Sequence, residues 1–135
     1  MKSWFKDSNQ GEAIITEVTV SDDRRYVLMT VTGAVSSAEI KVALDESRPL
    51  YNYSDRLLVD CRQADISPLG FIELDDLGAS FNKAVPGCKK MAFVIAQGAD
   101  NRAYAHLANI HCIYGVEAEI FDTMAATQDW LLEVF

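Results

Sequence analysis

The stretch Arg56–Phe71, RLLVDCRQADISPLGF, contains the pattern that decides the fold of this chain. It opens with an apolar run that is typical of a buried strand, which we predict at Arg56–Cys61. It then reaches Ser67 and Pro68, and serine before proline is typical of a helix start. The serine oxygen accepts a hydrogen bond from a free amide, and proline needs no donor at that position. We therefore predict a helix from about Pro68 to Ala84.

The composition of the chain indicates one folded domain. Its 135 residues are half hydrophobic, which fits a single domain with a sizeable core. We assign residues 13–135 to this domain and residues 1–12 to an N-terminal extension. The formal net charge of −8 argues against binding to nucleic acid or to an anionic membrane surface, since phosphate contacts require clustered Lys and Arg.

The cysteines Cys61, Cys88 and Cys112 indicate a reducing compartment. Their odd number and lack of paired spacing argue against a disulfide framework, so we expect free thiols and a cytoplasmic location. No apolar run is long enough to span a bilayer, and the first residues lack the apolar stretch of a signal peptide. We therefore expect no integral membrane segment.

The hydrophobic periodicity alternates between strand and helix along the chain. The predicted strands are Ala13–Val20, Arg25–Thr32, Arg56–Cys61, Met91–Ala96 and Glu117–Phe121. The helices are predicted after the capping box Ser36–Glu39, at Pro68–Ala84, after Asp100 and after Thr123. The resulting order, β-β-α-β-α-β-α-β-α, predicts the α/β class, with a mostly parallel mixed sheet, flanking helices and an initial antiparallel hairpin.

This order, together with the segment Asp65–Gly70, resembles the STAS domain, the fold of anti-sigma-factor antagonists. More narrowly, the chain is similar to SpoIIAA-like bacterial proteins over about residues 13–134. STAS domains carry an Asp-Ser-Ser-Gly-type motif after the third strand, and a partner kinase phosphorylates its second serine. The match places Ser67 on that position. Pro68 replaces the usual glycine, and the connection from Asp60 is shorter than in typical members.

The resemblance extends to the last elements, where Phe121 ends a strand and Trp130 and Leu131 follow on a helix. It implies a non-enzymatic regulatory or interaction domain that acts through protein–protein contacts. The alternative that it implies is a carrier, which would bind a lipid or another apolar small ligand between the sheet and the helices.

Ser67, Asp65 and Asp60 are the candidate functional residues of the opening segment. Ser67 is either an ordinary helix cap or a serine that is phosphorylated and contacts a partner. A phosphate on Ser67 would be favoured by the helix N-terminus and repelled by Asp65. Asp60, at the end of the predicted strand, either ties down the loop through its amides or contacts a ligand.

No residue pattern predicts a metal, a cofactor or catalysis. The spacing of His106 and His111 turns their side chains to different faces of one predicted helix, which argues against a metal pair. No phosphate-binding or dinucleotide-binding glycine pattern is present, so we expect no cofactor. Cys61 is expected to be a small buried hydrophobe, and Glu73–Asp76 a solvated helix face. Since no catalytic signature appears, we predict that the chain is not an enzyme.

Two further features bear on partners. Several aromatic side chains could line an apolar groove between the sheet and the helices: Tyr51, Tyr53, Phe71, Phe81 and Tyr104. A homodimer could form through Trp4 and Phe5 of the extension or through the edge strand of the hairpin. The predicted partner is therefore a protein or an apolar small ligand.

Overall fold

Strands and helices alternate along the chain, as a computed structural model shows for residues 3–7 and 15–133. Side chains are described for residues 16–133. Some predicted features therefore lie outside the described part, namely Ala13 and Ile14 of the first predicted strand and the side chains of Trp4 and Phe5.

The described residues form six strands, four α-helices and one short 3₁₀ helix at Arg48–Asn52. The strands are β1 Ser3–Asp7, β2 Ile15–Val20, β3 Val27–Ala34, β4 Arg56–Asp65, β5 Lys90–Val94 and β6 Glu117–Phe121. The α-helices are α1 Ser37–Glu46, α2 Phe71–Ala84, α3 Arg102–Ile113 and α4 Met124–Leu131. Within residues 3–7 and 15–133, none of these helices combines the length and the apolar character that crossing a membrane requires.

The strands pair in one mixed sheet, in the order β1-β2-β3-β4-β5-β6. β1, β2 and β3 pair antiparallel, and β3, β4, β5 and β6 pair in parallel. Each parallel connection crosses over through a helix to the neighbouring strand, as a parallel pair requires. The predicted α/β class with a mixed sheet is therefore confirmed.

The two faces of the sheet are covered unequally. α1, α2 and α3 pack on one face, where Leu57 and Val59 of β4 enter the main core. α4 packs on the other face, where its Leu131 joins a smaller cluster with Leu58 and Val94. Because successive side chains of a strand point to opposite faces, the neighbours Leu57 and Leu58 belong to different cores.

Two helices begin where the sequence predicts a side-chain cap. The Ser36 hydroxyl accepts a hydrogen bond from the backbone N–H of Glu39 at 3.4 Å, ahead of α1. The Thr123 hydroxyl accepts one from the backbone N–H of Ala126 at 3.2 Å, ahead of α4. Each bond satisfies an amide that the first turn of a helix leaves without a partner.

The sheet contains one strand more than predicted. β1 lies within the predicted N-terminal extension and pairs with β2, so β2 is not an edge of the sheet. The expectation that the hairpin has a free edge at β2 is therefore wrong, because β1 occupies that edge.

β4 is longer than predicted. It continues past Cys61 to Asp65, with a register shift against β3 between Thr30 and Thr32. β4 contributes one residue more than β3 over this interval, which is the pattern of a β-bulge. The strand therefore delivers Asp65, and not Asp60, to the carboxyl edge of the sheet.

Candidate functional site

The β4–α2 turn, Ile66–Gly70, connects the carboxyl end of β4 to α2. Asp65 Oδ1 accepts a hydrogen bond from the backbone N–H of Ser67 at 3.0 Å. The backbone N–H of Leu69 donates to the carbonyl of Ile66 at 3.0 Å. An acidic side chain that bonds the backbone two residues on is a common way of fixing a turn, and it fixes this one.

Ser67 does not cap α2, so that prediction is wrong, as is the predicted helix start at Pro68. Gly70 is the N-cap residue, and its N–H donates to Glu73 Oε1 at 3.0 Å. Ser67 and Pro68 are exposed and precede the helix. The Ser67 side chain bonds to Asp65, and this bond and the bond from the Ser67 N–H lower the pKa of Asp65.

Asp60 lies within β4 and not at its end, so its predicted place at the loop is wrong. Its Oδ1 accepts hydrogen bonds from the backbone N–H of Arg62 at 3.1 Å and from Arg62 Nε at 3.0 Å. Partial burial raises the pKa of Asp60 and the bonds from Arg62 lower it, with a net downward shift. The structure thus brings Asp65 and Ser67 together and pairs Asp60 with Arg62.

An apolar cavity of about 80 Å³ lies between the sheet and the layer formed by α1, α2 and α3. Val59 and Phe93 are among the strand residues in its wall, and Ile66 and Leu69 of the β4–α2 turn also line it. Ser67, between these two turn residues, is exposed on the outside. The same turn therefore forms part of the cavity wall and part of the protein surface.

The polar side chains in the cavity wall are uncharged at neutral pH. Burial, together with the charge of Asp60, raises the pKa of the Cys61 thiol to about 12. Burial, together with Cys61, raises the pKa of the Tyr104 hydroxyl above its ordinary range. Burial lowers the pKa of His111 to about 4. The cavity wall thus offers a thiol, a phenol and a neutral imidazole.

Asn82 fixes the orientation of the His111 ring. The Asn82 amide nitrogen donates to the carbonyl of Gly78 at 2.8 Å and lies 3.2 Å from His111 Nδ1. Because an amide nitrogen can only donate, His111 Nδ1 is the acceptor and the neutral ring carries its proton on Nε2. The ring also packs edge-on against Phe81, with centroids 5.2 Å apart.

Two large apolar side chains are exposed at the start of α2, directly after the turn. Phe71 is 62% exposed and Ile72 is 84% exposed. The Phe71 ring packs against the ring of His106, with centroids 4.6 Å apart. We call Ser67, Pro68, Phe71 and Ile72 together the contact surface.

The acids of the cluster Glu73–Asp76 take part in a helix cap, in a hydrogen bond to His106 and in an ion pair with Lys41. Asp75 Oδ1 lies 2.8 Å from His106 Nε2 on α3, and Asp76 pairs with Lys41 on α1. In the described part of the chain, no three His, Cys, Asp or Glu side chains are placed to hold a metal ion. These acids therefore tie α2 to its neighbours.

The aromatic side chains predicted to share a groove occupy three different environments. Phe81 and Tyr104 line the cavity. Tyr51 packs edge-on against Phe81, with ring centroids 6.3 Å apart. Tyr53 and Phe71 are exposed. Of the five aromatic residues predicted to line a groove, only Phe81 and Tyr104 line the cavity between the sheet and the helices.

The sequence matches no protein-family model, and no curated protein matches it. The likeness to STAS domains therefore depends on the residues and elements described above, and so does the functional argument.

Proposed function

We propose that this chain is a non-enzymatic regulatory or interaction domain of the STAS, SpoIIAA-like type, and that it acts through protein–protein contacts. The observation that carries the proposal is the exposure of the neighbours Phe71 and Ile72 at the start of α2, four residues after Ser67 in the chain. Adjacent exposed apolar side chains are typical of surfaces that a partner covers. The resemblance implies a partner contact at the same turn.

The energetics support a contact centred on these two side chains. Full burial of one large apolar side chain stabilises a complex by about 2 kcal/mol. Two such side chains can anchor an interface whose rim supplies mainly complementarity. Because the Phe71 ring already packs against His106, part of its side-chain conformational entropy is lost before a partner binds. Ordering this side chain on binding therefore costs less free energy.

A phosphate on Ser67 would act as a switch in this proposal. It would add up to two negative charges between Asp65 and the apolar pair Phe71 and Ile72. Asp65 now accepts hydrogen bonds from Ser67, and the modified side chain would repel it. We expect a phosphorylated Ser67 to weaken an apolar contact at this surface and to loosen the turn.

A capture experiment with matched variants tests the contact surface. The full chain serves as photo-crosslinking bait in native extract, alongside the double variants Phe71→Ser/Ile72→Ser and Ile113→Ser/Tyr114→Ser. The control pair is 82% and 52% exposed, and it lies at the opposite edge of the sheet because α3 ends there. We expect a specific protein captured by the wild type and by the control but not by the Phe71/Ile72 variant. Equal capture by both variants would contradict the proposal.

Intact-mass measurement tests the switch. Chain purified from its own cells is compared before and after phosphatase treatment, with Ser67→Ala expressed in the same cells. We expect a phosphatase-sensitive mass shift that the Ser67→Ala chain lacks. A shift that persists in Ser67→Ala would place the modification elsewhere, and no shift under any growth condition would remove Ser67 from the proposal.

The proposal includes a cytoplasmic location, which the free thiols of Cys61, Cys88 and Cys112 support. The simplest partner is a second copy of this chain, which would form a homodimer. The capture experiment detects a homodimer as crosslinking of the chain to itself. A lipid carrier has less support, because the cavity of about 80 Å³ is far too small for an acyl chain.

A further inference from the structure

We infer that the cavity beneath the β4–α2 turn is a binding site for one small, uncharged, apolar molecule. This inference is independent of the contact surface, since it concerns the inner side of the turn. Its starting observation is a largely buried apolar cavity of about 80 Å³ in the main core. Protein cores rarely leave space much larger than a water molecule, so a void of this size calls for an explanation.

Water is a poor occupant of this space. A buried water needs two or more polar partners, and the wall offers few polar groups, because the side chains around it are almost all apolar. His111 Nδ1 is already engaged by Asn82. An apolar occupant loses no hydrogen bonds on transfer from water, so the wall favours it.

The wall also defines the chemical class of the ligand. Cys61, Tyr104 and His111 are neutral at neutral pH, so no charged side chain in the wall can compensate a charged ligand. The Tyr104 hydroxyl lies in the wall and can serve at most one polar atom of the ligand. An apolar cavity of about 150 Å³ takes benzene or xenon, and the present volume is roughly half of that. The ligand is therefore no larger than a few heavy atoms.

The route into the cavity passes beneath the β4–α2 turn. Of the side chains in the wall, Ile40 at the start of α1 and Ile66 of the turn are half-buried, and the others are buried. The wall is therefore thinnest between α1 and the turn. Ile66 is held by a short turn and not by a regular element, so it is the side chain that moves at least cost.

Xenon is the probe for this site, because it is apolar and uncharged. Methyl-labelled full-length chain is titrated with xenon and followed by NMR. We expect saturable shifts at the methyl groups of Leu69, Leu77 and Val59, and none at Leu58 and Leu131 on the other face of the sheet. Shifts of equal size on both faces, or no saturable shift, would overturn the inference.

A filled-cavity variant and a matched control complete the xenon test. Val31→Ile/Val59→Ile adds two methylenes to the cavity wall, and Val94→Ile adds one to the small cluster under α4. Because one methylene in an apolar pocket changes affinity by about tenfold, we expect at least that loss in the filled variant and wild-type affinity in the control. Wild-type xenon affinity in the filled variant, once circular dichroism has shown it folded, would overturn the inference.

A truncation at Ile66 tests the route. Ile66→Ala removes the half-buried wall residue, and Ile113→Ala removes an exposed side chain of the same type elsewhere. We expect benzene to shift the cavity methyl groups in Ile66→Ala and to leave Ile113→Ala and the wild type unchanged. If benzene shifts the cavity methyl groups equally in all three chains, the proposed route beneath the turn is wrong. The xenon titration then still decides whether the cavity is a binding site.

Discussion

At the scale of single residues, the buried His111 makes the stability of this fold depend on pH. Its ring packs on Phe81, its Nδ1 accepts from Asn82, and burial lowers its pKa to about 4. Protonation would place a charge among apolar groups and turn Nδ1 from an acceptor into a donor facing another donor. The native state therefore requires the neutral ring.

We predict that the chain loses stability as the pH falls from about 6.5 to about 4. In the unfolded chain His111 titrates near 6.5, and in the folded chain near 4, so the unfolded chain binds the proton more strongly in between. The stabilisation is complete above pH 6.5 and is lost as the pH falls through this window, by about 3 kcal/mol in total. Urea unfolding at a series of pH values measures it.

The variant His111→Gln is the control for this pH dependence. It keeps a neutral polar side chain and cannot be protonated in this range, so its free energy of unfolding should change less with pH. The readout is the difference between the two chains in the slope of unfolding free energy against pH. The carboxylates contribute equally to both slopes, so they cancel in this difference. Parallel slopes would show that His111 does not carry the effect.

Ser67 shows what a local pattern can and cannot predict. Ser-Pro fits a helix cap, and it also fits a turn in which an acid two residues earlier bonds the serine N–H, as Asp65 does. The start of α2 is decided by Gly70 and Glu73, whose spacing in the sequence is that of a capping box. The sequence shows only half of this motif, since Gly70 has no side-chain oxygen to cap the helix, and the Ser-Pro pair is the stronger local pattern.

At the scale of elements, the close approach of α2 and α3 depends on Gly78. A Cβ atom at this position would lie 2.4 Å from Ile110 Cγ2, well inside contact distance. The two helices also connect through Asp75 and His106, so they cannot separate freely. Glycine is therefore present here because of packing, although it weakens the helix itself.

We predict that Gly78→Ala destabilises the chain. The gain in helix propensity is about 1 kcal/mol, and overpacking of a core contact costs about 1–3 kcal/mol, so the balance is unfavourable. Gly87→Ala is the matched control, because a Cβ there meets no atom within 4 Å. Thermal or urea unfolding of both variants measures the difference.

The double variant Gly78→Ala/Ile110→Ala separates steric overlap from other causes. Removing the Ile110 branch clears the space that the new methyl group needs, so the two changes should be less than additive. If the two losses of unfolding free energy simply add, the contact with Ile110 is not the reason that position 78 requires glycine.

The elements themselves follow from sequence to different degrees. The starts of helices α1 and α4, after Ser36 and Thr123, can be predicted from the sequence. Each cap is a hydrogen bond between residues three apart in the chain. The end of β4 does not follow from the local sequence, because its last residues are polar and the bulge depends on pairing with β3. β1 likewise depends on its partner strand, since Ser3–Asp7 becomes a strand by pairing with β2.

At the scale of the whole molecule, the sheet is supported by three helices on one face and by α4 on the other. Alternation of strands and helices predicts a layered α/β fold, but not how tightly the layers meet. The cavity between the sheet and α1–α3 arises from that fit. The sequence shows Ile66, Leu69 and Tyr104 only as apolar or aromatic residues, so their place in one wall requires the packed structure.

α4 packs against the smaller of the two apolar clusters, on the face of the sheet opposite α1, α2 and α3. It has eight residues, and Leu131 is its fully buried apolar anchor. Its last carbonyls accept hydrogen bonds from two cationic side chains of the sheet, the buried Lys90 and the half-buried Arg56. Lys90 Nζ donates to the carbonyl of Trp130 at 2.8 Å, and Arg56 donates to that of Leu131 at 2.8 Å. Cations at a helix C-terminus are favourable, so these bonds fasten the end of a helix too short to be stable alone.

We predict that α4 opens as a separate unit before the sheet and α1–α3 unfold. Native-state hydrogen exchange at low urea should give the amides of α4 a lower opening free energy than those of β4 and β5.

The variant Thr123→Ala tests this separate opening, because it removes the α4 cap. It should lower the opening free energy of α4 by about 1 kcal/mol, while the amides of β4 and β5 should still exchange only through global unfolding. Ser36→Ala removes the corresponding cap of α1 and should leave α4 unchanged. If α4 exchanges with the same free energy and urea dependence as β4 in all three chains, both faces of the sheet unfold together. Lys90 and Arg56 then hold α4 more firmly than its apolar contacts suggest.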